Sequence, residues 1–505
     1  MIYLLILLAF TISALMSMII IPRILVVALK KRLFDIPDSR KVHKGAIPRL
    51  GGLSFAPSIL FSLSFVSALY CAGYMYGQQI PLWLLTHTLS EFYLLVCGVI
   101  LLYLAGLKDD LVGMRYTKKF MVQIVAALLL PLSGLWINNL YGLFGIHELA
   151  SWIGIPLTIL VIVFITNAIN LIDGIDGLAS GLTGSALLVL GSLFLINGMW
   201  IYALLSFATL GVLVPFFYYN VFGQADHGRK IFMGDTGSLT LGYILVFLAI
   251  RYASYNPDVA HYSAGAIVVA FSTLIVPMFD VVRVMIVRAR SHRPLFKPDR
   301  NHIHHKFLDM GMSAHKAMIS IVVIASLFSS LNILLVSFVN INIVFAGDIV
   351  IWVVLSIWFE KARNKKEIFK RKRMGQTNLE KIQIMKACFM GLGYIGLPTA
   401  IIAAGSGIQV IGVDVNPKVV EMTNRGVIHI VEPGLQELCS EVVESGKLKA
   451  SDVPEESDVY LIVVPTPFKG NHEPDISYVE AATRMVAPFL KKGDLFVIES
   501  TSPVG

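Results

Sequence analysis

The chain has 505 residues, 56% of them hydrophobic, and a mean hydropathy of +0.73, which excludes an ordinary soluble protein. Its formal net charge of +8 is unevenly distributed. Residues 1–359 carry 23 basic and 15 acidic side chains, residues 360–385 nine and three, and residues 386–505 nine and fifteen. The positive charge therefore belongs to loops and a basic segment, which favours lipid headgroups and phosphates as partners. No nucleic-acid-binding motif accompanies it, so no nucleic-acid partner is expected.

The first 359 residues predict a polytopic α-helical membrane protein. A membrane helix needs roughly 20 apolar residues. The first apolar stretch is followed, not preceded, by Lys30, Lys31 and Arg32, so we interpret it as a span rather than a signal peptide. Eleven spans are predicted, at 1–29, 53–76, 92–107, 120–138, 151–166, 178–196, 199–219, 237–250, 264–287, 317–339 and 342–359.

The loops between these spans differ in charge. Alternate loops (30–52, 108–119, 167–177, 220–236 and 288–316) hold 20 Lys and Arg residues, whereas the opposite loops hold one, Arg251. Basic loops face the cytoplasm in most membrane proteins. The same loops carry most of the Asp, Asn and His clusters, so we expect an enzyme that acts at the cytoplasmic face on a cytosolic substrate and a lipid.

The first polar cluster is the pair Asp109-Asp110 in the loop after the third span. Adjacent residues point in different directions on a helix, so the pair is not expected to chelate one metal ion symmetrically. A division of labour is predicted, with one carboxylate near a reacting phosphate and the other near a cation. A solvated, helix-capping acid pair is the alternative.

The second cluster, Asn167-Ala-Ile-Asn170-Leu-Ile-Asp173-Gly-Ile-Asp176-Gly177, repeats a polar residue at every third position. A helical backbone would align these side chains along one side, and the glycines would let a ligand approach closely. Polar residues this near a membrane are costly unless they are paired or used, so we interpret the cluster as functional.

Two further clusters follow. Phe232-Met-Gly-Asp235-Thr-Gly-Ser238 precedes the eighth span, where a carboxylate at a helix start could ligate Mg²⁺ or simply cap the helix. His302-Ile-His304-His305 could bind a transition metal, but no cysteine accompanies it and Arg300 and Lys306 flank it. A phosphate-clamping role is favoured for the histidines.

These clusters, together with Asp35-Ile-Pro-Asp-Ser-Arg-Lys-Val-His43 running on to Pro48-Arg-Leu-Gly-Gly52, resemble the polyprenyl-phosphate N-acetylhexosamine-1-phosphate transferase family. The phospho-N-acetylmuramoyl-pentapeptide transferases belong to the same superfamily. The resemblance covers residues 1–359. It implies a multi-pass enzyme of the bacterial inner (plasma) membrane whose active site and C-terminal part are cytoplasmic.

The resemblance also implies a reaction and roles for its residues. A Mg²⁺-dependent transfer of sugar-1-phosphate from a UDP-sugar to undecaprenyl phosphate would release UMP. Asp109 would deprotonate the lipid phosphate or attack the pyrophosphate, and the sequence leaves both roles open. The other implied roles are support by Asp110, metal binding by Asp235, uracil stacking by Phe232, phosphate or sugar contacts by the catalytic histidines His302, His304 and His305, and substrate binding by Lys44, Asn167, Asn170, Asp173 and Asp176.

After the basic segment 360–385, the sequence predicts a partial α/β Rossmann domain over 386–505. A strand at Ala387–Met390 leads into Gly391-Leu-Gly393-Tyr-Ile-Gly396, a helix is expected to about Ser406, and Gln409–Val413 reads as a strand that ends in Asp414. In this context the glycine motif indicates dinucleotide binding, with pyrophosphate on the loop amides and ribose on Asp414, which favours NAD. Parallel strands are also predicted at Val459–Val464 and Leu495–Ile498.

This second part resembles the start of a UDP-N-acetyl-D-mannosamine dehydrogenase. Thr466, in Val464-Pro-Thr-Pro, and Thr501, in Glu499-Ser-Thr-Ser-Pro-Val-Gly505, would lie near the cofactor. That family continues for several hundred residues, with a catalytic Cys, a Lys and a UDP-binding domain. We therefore expect an incomplete dehydrogenase, as if two genes were joined near Met385. The four cysteines, Cys71, Cys97, Cys388 and Cys439, are expected to be structural thiols.

The favoured hypothesis is an N-acetylhexosamine-1-phosphate transferase that uses UDP-GlcNAc and undecaprenyl phosphate, starts a cell-surface polysaccharide and carries an NAD-binding domain. UDP-MurNAc-pentapeptide is a less favoured donor, and a homodimer is one expected assembly. A bifunctional chain that contributes to NAD-dependent UDP-N-acetylmannosamine oxidation is the alternative. A transporter is a remote one, because the predicted spans are nearly free of charge at their centres.

Overall fold

The computed structural model describes residues 2–31, 33, 47–74, 82–225, 227–254, 265–291, 301–379, 385–430, 432, 434–467 and 475–499. The chain divides into two compact units, Met1–Glu367 and Ile368–Gly505. The first is helical and the second is an α/β unit, as expected from the change in composition.

The helices of the first unit follow the apolar stretches of the sequence. They are α1 (Ile2–Lys31), α2 (Phe55–Tyr74), α3 (Leu82–Val112), α4 (Tyr116–Leu132), α5 (Ser151–Ile172), α6 (Leu178–Ile196), α7 (Trp200–Phe217), α8 (Gly234–Ala253), α9 (Ala266–Ser272), α10 (Ile275–Arg290), α11 (Ile303–Asp309), α12 (Ala314–Leu335) and α13 (Ile341–Leu379).

The structure supports a membrane protein with fewer clear spans than the eleven predicted. Within the described ranges, nine helices are long and apolar enough to cross a bilayer, and the pair α9–α10, bent by 78°, would make a tenth. The span predicted at 120–138 corresponds to α4, which has 17 residues and ends at Leu132. At 1.5 Å per residue this helix is only about 26 Å long. The count of eleven is therefore not confirmed.

Helix α8 is the centre of the membrane unit. Of its 20 residues, 17 are buried, with α3, α5, α6 and α9 packed around it. Glycines allow this close packing: a Cβ at Gly106 of α3 would lie 2.5 Å from Thr236 Cα, and one at Gly98 would lie 2.2 Å from the Tyr243 hydroxyl. Small residues permit such close backbone approach between membrane helices. The glycines therefore let α3 lie directly against α8.

A β-hairpin that the sequence analysis did not predict follows α4. Its strands are β1 (Asn139–Leu143) and β2 (Ile146–Glu148), which pair antiparallel. The Tyr141 hydroxyl donates a hydrogen bond to the carbonyl oxygen of Ala253 at 3.0 Å, at the C-terminal end of α8. The last carbonyls of a helix have no partner inside the helix. The hairpin therefore supplies a partner to the end of the central helix.

The second unit contains a parallel five-stranded sheet in the order β5-β4-β3-β6-β7. Its strands are β3 (Lys386–Met390), β4 (Gln409–Val413), β5 (Leu448–Ser451), β6 (Val459–Ile462) and β7 (Leu495–Ile498), and its helices are α14 (Gly396–Gly405), α15 (Pro417–Asn424), α16 (Leu435–Glu444) and α17 (Ser477–Val486). This is the strand order of a dinucleotide-binding fold, so the Rossmann prediction is confirmed. The sequence analysis missed β5, whose four residues, Leu-Lys-Ala-Ser, give little strand signal.

We expect the Gly106→Ala variant to be destabilised, because its methyl group would overlap the backbone of Thr236 and push α3 away from α8. Overpacking of this kind costs about 1–3 kcal/mol. The midpoint of thermal unfolding of the detergent-purified chain measures the effect. Gly347→Ala in α13 is the control, because a Cβ there meets nothing within 4 Å. Equal midpoints for the two variants would contradict this account of the α3–α8 contact.

Candidate active site at the polar helix ends

Three helices bring one ammonium group and two carboxylates together. Asp109 lies in the last turn of α3, Lys119 in the first turn of α4 and Asp235 in the first turn of α8. The Lys119 Nζ lies 2.6 Å from Asp235 Oδ2 and 3.1 Å from Asp109 Oδ2. The two carboxylates therefore share one cation. The sequence analysis identified both acids and missed Lys119, whose only signal was a basic residue ten positions after Asp109 in a basic loop.

Asp110 has a different task from its neighbour. Its Oδ1 accepts a hydrogen bond from the backbone N–H of Asp235 at 2.7 Å, and its Oδ2 accepts from the N–H and the hydroxyl of Thr236 at 2.9 and 2.6 Å. These N–H groups belong to the start of α8, where a helix has no internal acceptors. A negative charge is also favoured there by the helix dipole. Asp110 thus anchors α3 to α8 and positions Asp235.

Gly234 makes this capping contact possible. It has a φ of +71°, a conformation that L side chains rarely adopt. A Cβ at this position would lie 2.6 Å from Asp110 Oδ2 and 2.1 Å from the carbonyl oxygen of Arg49. The glycine in the Gly-Asp-Thr-Gly-Ser motif is therefore required by the approach of two other segments.

The loop before α2 is joined to the loop before α8 by backbone hydrogen bonds. Gly51 and Gly52 donate to the carbonyls of Phe232 and Met233, both at 2.9 Å, and Phe232 donates to Pro48 at 2.9 Å. This pairing explains why two glycine-rich motifs so far apart in sequence belong to one site. It leaves the side chain of Phe232 half-buried. Lys44 lies outside the described residues.

The two asparagines of the second cluster face different neighbours. Asn170 Nδ2 donates to Asp235 Oδ1 at 2.5 Å and to the Ser238 hydroxyl at 2.7 Å. Asn167 Nδ2 donates instead to Gln123 Oε1 at 2.7 Å, which ties α5 to α4. Only Asn170 contacts the shared-cation site, because a spacing of three residues rotates a helix position by about 60° from its neighbour.

Asp173 and Asp176 lie beyond the end of α5. Asp173 is an exposed residue, although the protein atoms and charged groups around its carboxyl group reduce its contact with water. Loss of hydration, together with the negative charges of Asp176 and Asp235, raises the pKa of Asp173 to about 7, against the opposing charge of Arg49. Asp176 instead forms an ion pair with Lys230, with Oδ2 and Nζ 2.6 Å apart. Asp173 is thus the accessible carboxylate of this loop.

The histidine segment is held by a buried carboxylate. Asp280 of α10 is fully buried; its Oδ2 lies 2.8 Å from His302 Nδ1, and its Oδ1 accepts from the N–H of Ile303 at 2.9 Å and from Arg283 at 2.7 Å. Asp280 and Arg283 thereby orient the start of α11.

His304 joins the histidine segment to the Asp173 loop. A Cβ at Gly174 would lie 2.1 Å from His304 Nε2, so that glycine makes room for the ring. Burial, with the neighbouring His305 and His302, lowers the pKa of His304 to about 3, so the ring is neutral at physiological pH. Its Nδ1 is buried and has no hydrogen-bond partner among the described residues. The rings of His304 and His305 are 4.2 Å apart between centroids.

The shared-cation site has the donor chemistry that suits Mg²⁺. Carboxylate oxygens from Asp109 and Asp235 converge on one positive charge, and hard divalent cations prefer such oxygen ligands. Among the described residues, no group of three or more His, Cys, Asp and Glu side chains is placed to hold a metal ion. A cation here would therefore depend on water and substrate phosphate oxygens as further ligands, as is usual for Mg²⁺.

The second unit has a separate nucleotide-type site. Gly391, with φ +103°, passes so close to β6 that a Cβ would lie 2.5 Å from the Val463 carbonyl oxygen, whereas Gly393 has open space around it. Asp414 Oδ2 accepts from the N–H of Leu392 at 2.9 Å and so holds the glycine loop. Gly396 begins α14 and Thr466 follows β6. Thr501 lies outside the described residues.

Neither cysteine of the second unit is exposed. Cys388 in β3 and Cys439 in α16 are fully buried, and burial raises the pKa of Cys388 to about 11. A thiol is a nucleophile only as the thiolate. Neither side chain is therefore placed to act as a dehydrogenase nucleophile.

Comparison with known proteins separates the two parts of the chain. Residues 92–253 match glycosyl transferase family 4, and residues 385–505 match the NAD-binding domain of the UDP-glucose/GDP-mannose dehydrogenase family. A probable undecaprenyl-phosphate N-acetylglucosaminyl 1-phosphate transferase of Bacillus subtilis is 32% identical over 334 residues, which cover 65% of this chain and 84% of that protein. The helical bundle, the clustered carboxylates and this relative together show that the chain is a membrane-bound enzyme. It belongs to the family of membrane glycosyl-1-phosphate transferases.

The second part is similar to dehydrogenases over a shorter length. UDP-N-acetyl-D-mannosamine dehydrogenases of Campylobacter jejuni and Escherichia coli are 58% and 60% identical over 124 and 116 residues, or 24% and 23% of this chain. The chain spans only 30% and 28% of these two relatives. The similarity adds an NAD-binding domain to the transferase family assignment.

We expect Lys119→Met to make the site depend more strongly on a divalent cation, because Asp109 and Asp235 would lose the positive charge that they share. Two carboxylates that face each other without a cation repel. The two carboxylates should attract the ion more strongly, so the half-saturating Mg²⁺ concentration for the proposed sugar-phosphate transfer should fall, and the maximal rate should fall about tenfold or more. The control is Lys118→Met, which alters the exposed neighbouring lysine. Equal kinetics for the two variants would contradict a role for Lys119 in the site.

Proposed function

We propose that the membrane unit transfers N-acetylhexosamine-1-phosphate, with GlcNAc-1-phosphate favoured, from a UDP-sugar to undecaprenyl phosphate and releases UMP. The observation that carries this proposal is the convergence of Asp109, Lys119 and Asp235 at the ends of three helices. The Bacillus subtilis relative is named for the same kind of transfer. We propose that the reaction begins a cell-surface polysaccharide.

The reaction makes one phosphorus–oxygen bond and breaks another. A phosphate oxygen of the lipid attacks the sugar-linked phosphorus of the UDP-sugar, and the bond from that phosphorus to the oxygen of UMP breaks. Both substrates are anionic, so the site has to neutralise charge where it accumulates. Lys119 supplies one positive charge, and Asp109 beside it would act as the base that takes the proton of the attacking lipid phosphate.

We assign Mg²⁺ to Asp235, with Asp109 close by, on the basis of their converging oxygens. When bound, the ion would neutralise pyrophosphate charge and polarise the phosphorus that is attacked. Asp110 holds Asp235 in place through the start of α8, and Asn170 fixes the other oxygen of Asp235. These contacts orient the carboxylate before substrate arrives.

The remaining predicted residues suit a nucleotide-sugar pocket around the shared-cation site. Asp173 is accessible beside the site, Asp176 is held by Lys230, and His304 presents a neutral ring against the same loop. A neutral histidine can both donate and accept hydrogen bonds, as contacts with sugar hydroxyls and phosphate require. The half-buried ring of Phe232 offers a surface for a base. Asn167 acts indirectly, by fixing α5 to α4.

We also propose the organisation of the chain. Residues 1–359 form the transferase of the bacterial plasma membrane, residues 360–385 a basic cytosolic linker, and residues 386–505 a cytosolic NAD-binding domain. The charge of the loops supports the cytoplasmic position of the site. The open glycine loop and Asp414 support NAD binding as a second function. Since Cys388 and Cys439, the cysteines of this domain, are buried, we propose NAD binding without substrate oxidation by these residues.

The transferase proposal predicts UMP release from UDP-GlcNAc that requires both undecaprenyl phosphate and Mg²⁺. Purified chain in detergent or nanodiscs is assayed, and the lipid product is identified by mass spectrometry. Asp109→Asn and Asp235→Asn should each lower the rate about 100-fold or more, since each removes a charge from the reacting centre.

Asp309→Asn is the matched control, because Asp309 is an exposed carboxylate in the same membrane unit. It should retain the wild-type rate. Release that does not require the lipid would indicate hydrolysis, and absence of release with every UDP-sugar tested would reject the transferase assignment.

The NAD proposal predicts that the full chain binds NADH and that Asp414→Asn weakens this binding about tenfold or more. The carboxylate both accepts from the loop and is available to ribose hydroxyls, and hydrogen bonds to charged groups contribute about 1.5–3 kcal/mol. Titration of NADH fluorescence measures the affinity. Asp452→Asn changes another exposed carboxylate of the same domain, outside the glycine loop, and should have no effect. Equal weakening in both variants would contradict a site at Asp414.

A further inference from the structure

A largely buried ion pair links α3 and α8 on the side of the bundle opposite the candidate active site. Arg251 Nε, in the last turn of α8, lies 3.4 Å from Glu91 Oε2 of α3. The Tyr202 hydroxyl of α7 donates to the same oxygen at 2.5 Å, and the Arg251 guanidinium carbon lies 5.1 Å from the centroid of the Tyr202 ring. The Glu91 and Arg251 side chains are only 11% and 12% exposed.

Helices α3 and α8 therefore contact each other at four successive positions along their length. Starting from Glu91–Arg251, the contacts continue through Gly98–Tyr243 and Gly106–Thr236 to Asp110, which caps α8 at Asp235 and Thr236. The order of these contacts shows that α3 and α8 run antiparallel. At 1.5 Å per residue, the outer contacts are about 24 Å apart along α8, close to the thickness of the hydrocarbon core.

Burying this ion pair inside the membrane unit costs free energy. Charged groups inside a membrane protein cost free energy unless they are paired, and hydrophobic side chains of similar size are often as stable. The pair takes no direct part in chemistry about 24 Å away. Apolar side chains would not fix the axial position of one helix against the other as well as this pair does. An ion pair with a hydrogen-bonded hydroxyl has a preferred geometry, so it favours one register between the two helices.

The active site depends on that register. Asp109 and Asp235 lie on different helices, yet one Lys119 ammonium contacts both. Sliding of α8 along α3 would change the separation of these carboxylates and disturb the cap made by Asp110. Mg²⁺ demands near-ideal ligand geometry, and a displacement of about 1 Å at a reacting centre can cost a factor of about 100 in rate.

We propose that Glu91 and Arg251 are positioning residues that set the axial register of α3 against α8, and thereby the separation of Asp109 and Asp235. The inference rests on the proposed metal-dependent function of that site. The Tyr202 hydroxyl and the Tyr141 contact with Ala253 support the same end of α8.

The test is Mn²⁺ binding by purified full-length chain, measured by electron paramagnetic resonance of the free ion, with transfer kinetics alongside. Glu91→Gln removes the carboxylate charge that faces Arg251 and should weaken Mn²⁺ binding about threefold to tenfold. The double variant Glu91→Gln/Arg251→Gln removes both charges of the pair, which separates loss of the pair from the effect of one unbalanced charge, and it should still bind Mn²⁺ more weakly than wild type. Arg251→Lys keeps the positive charge and should bind Mn²⁺ more tightly than the double variant does. In the transfer assay, the half-saturating Mg²⁺ concentration should rise while KM for the UDP-sugar stays nearly constant.

Asp348→Asn is the matched control. Asp348 is a buried carboxylate of α13 that accepts from Asn332 of α12 at 2.9 Å, and this pair lies on neither α3 nor α8. The variant should bind Mn²⁺ as wild type does, even if its unfolding temperature falls.

Unchanged Mn²⁺ affinity in both Glu91 variants, with a lower unfolding temperature, would overturn the proposal and leave a purely stabilising pair. No Mn²⁺ binding by the wild type would overturn it as well. Mn²⁺ binding that depends on Glu91, in a chain that releases no UMP, would support the positioning role while rejecting the proposed reaction. The two hypotheses can thus fail separately.

Discussion

The capping of α8 by Asp110 is the interaction on which the rest of the membrane unit depends. Asp110 accepts hydrogen bonds from N–H groups that have no acceptor inside the helix, at the start of a helix that is almost completely buried. Without that partner, the first turn of α8 would place polar backbone in an apolar bundle, which is costly. Since Asp235 belongs to this turn, the same contact that stabilises the helix also positions the carboxylate proposed to hold the metal ion.

The site is built from helix ends rather than from helix centres. Asp109, Asn170 and Asp235 all lie in terminal turns, and Asp173 and Asp176 lie just beyond one. Helix ends can carry charge near a membrane because water and unpaired backbone groups are available there. This arrangement suits two substrates that differ greatly in polarity: a soluble nucleotide sugar can approach from water while a lipid phosphate stays at the interface.

The NAD-binding domain obeys a separate set of constraints. Its glycine loop follows β3 at the point where the strand order reverses, between β4 on one side and β6 on the other. This is where doubly wound sheets bind nucleotides. Its core is formed by its own strands and helices, so the fold of residues 386–498 is explained by local patterns without reference to the membrane unit.

The sequence by itself determined the membrane class, the dinucleotide fold and most of the acidic residues of the site. Apolar length, charge asymmetry and the strand–glycine–helix pattern are local signals, and they located β4 and β7 at the residues where the structure has them. The tandem Asp109-Asp110 also gave a correct local inference, that neighbours on a helix face different directions. Charges near a membrane are rare enough that their positions are informative.

Only the tertiary structure decided which polar residues meet. Lys119 carries no motif, yet it joins Asp109 to Asp235, whereas Asn167 lies in a strong motif and pairs with Gln123. The Glu91–Arg251 pair and the hairpin contact with α8 also connect residues that are far apart in sequence. The physical reason is that such partners are selected by the rotation and register of packed helices. These depend on long-range contacts such as Gly106 against Thr236, which no local pattern records.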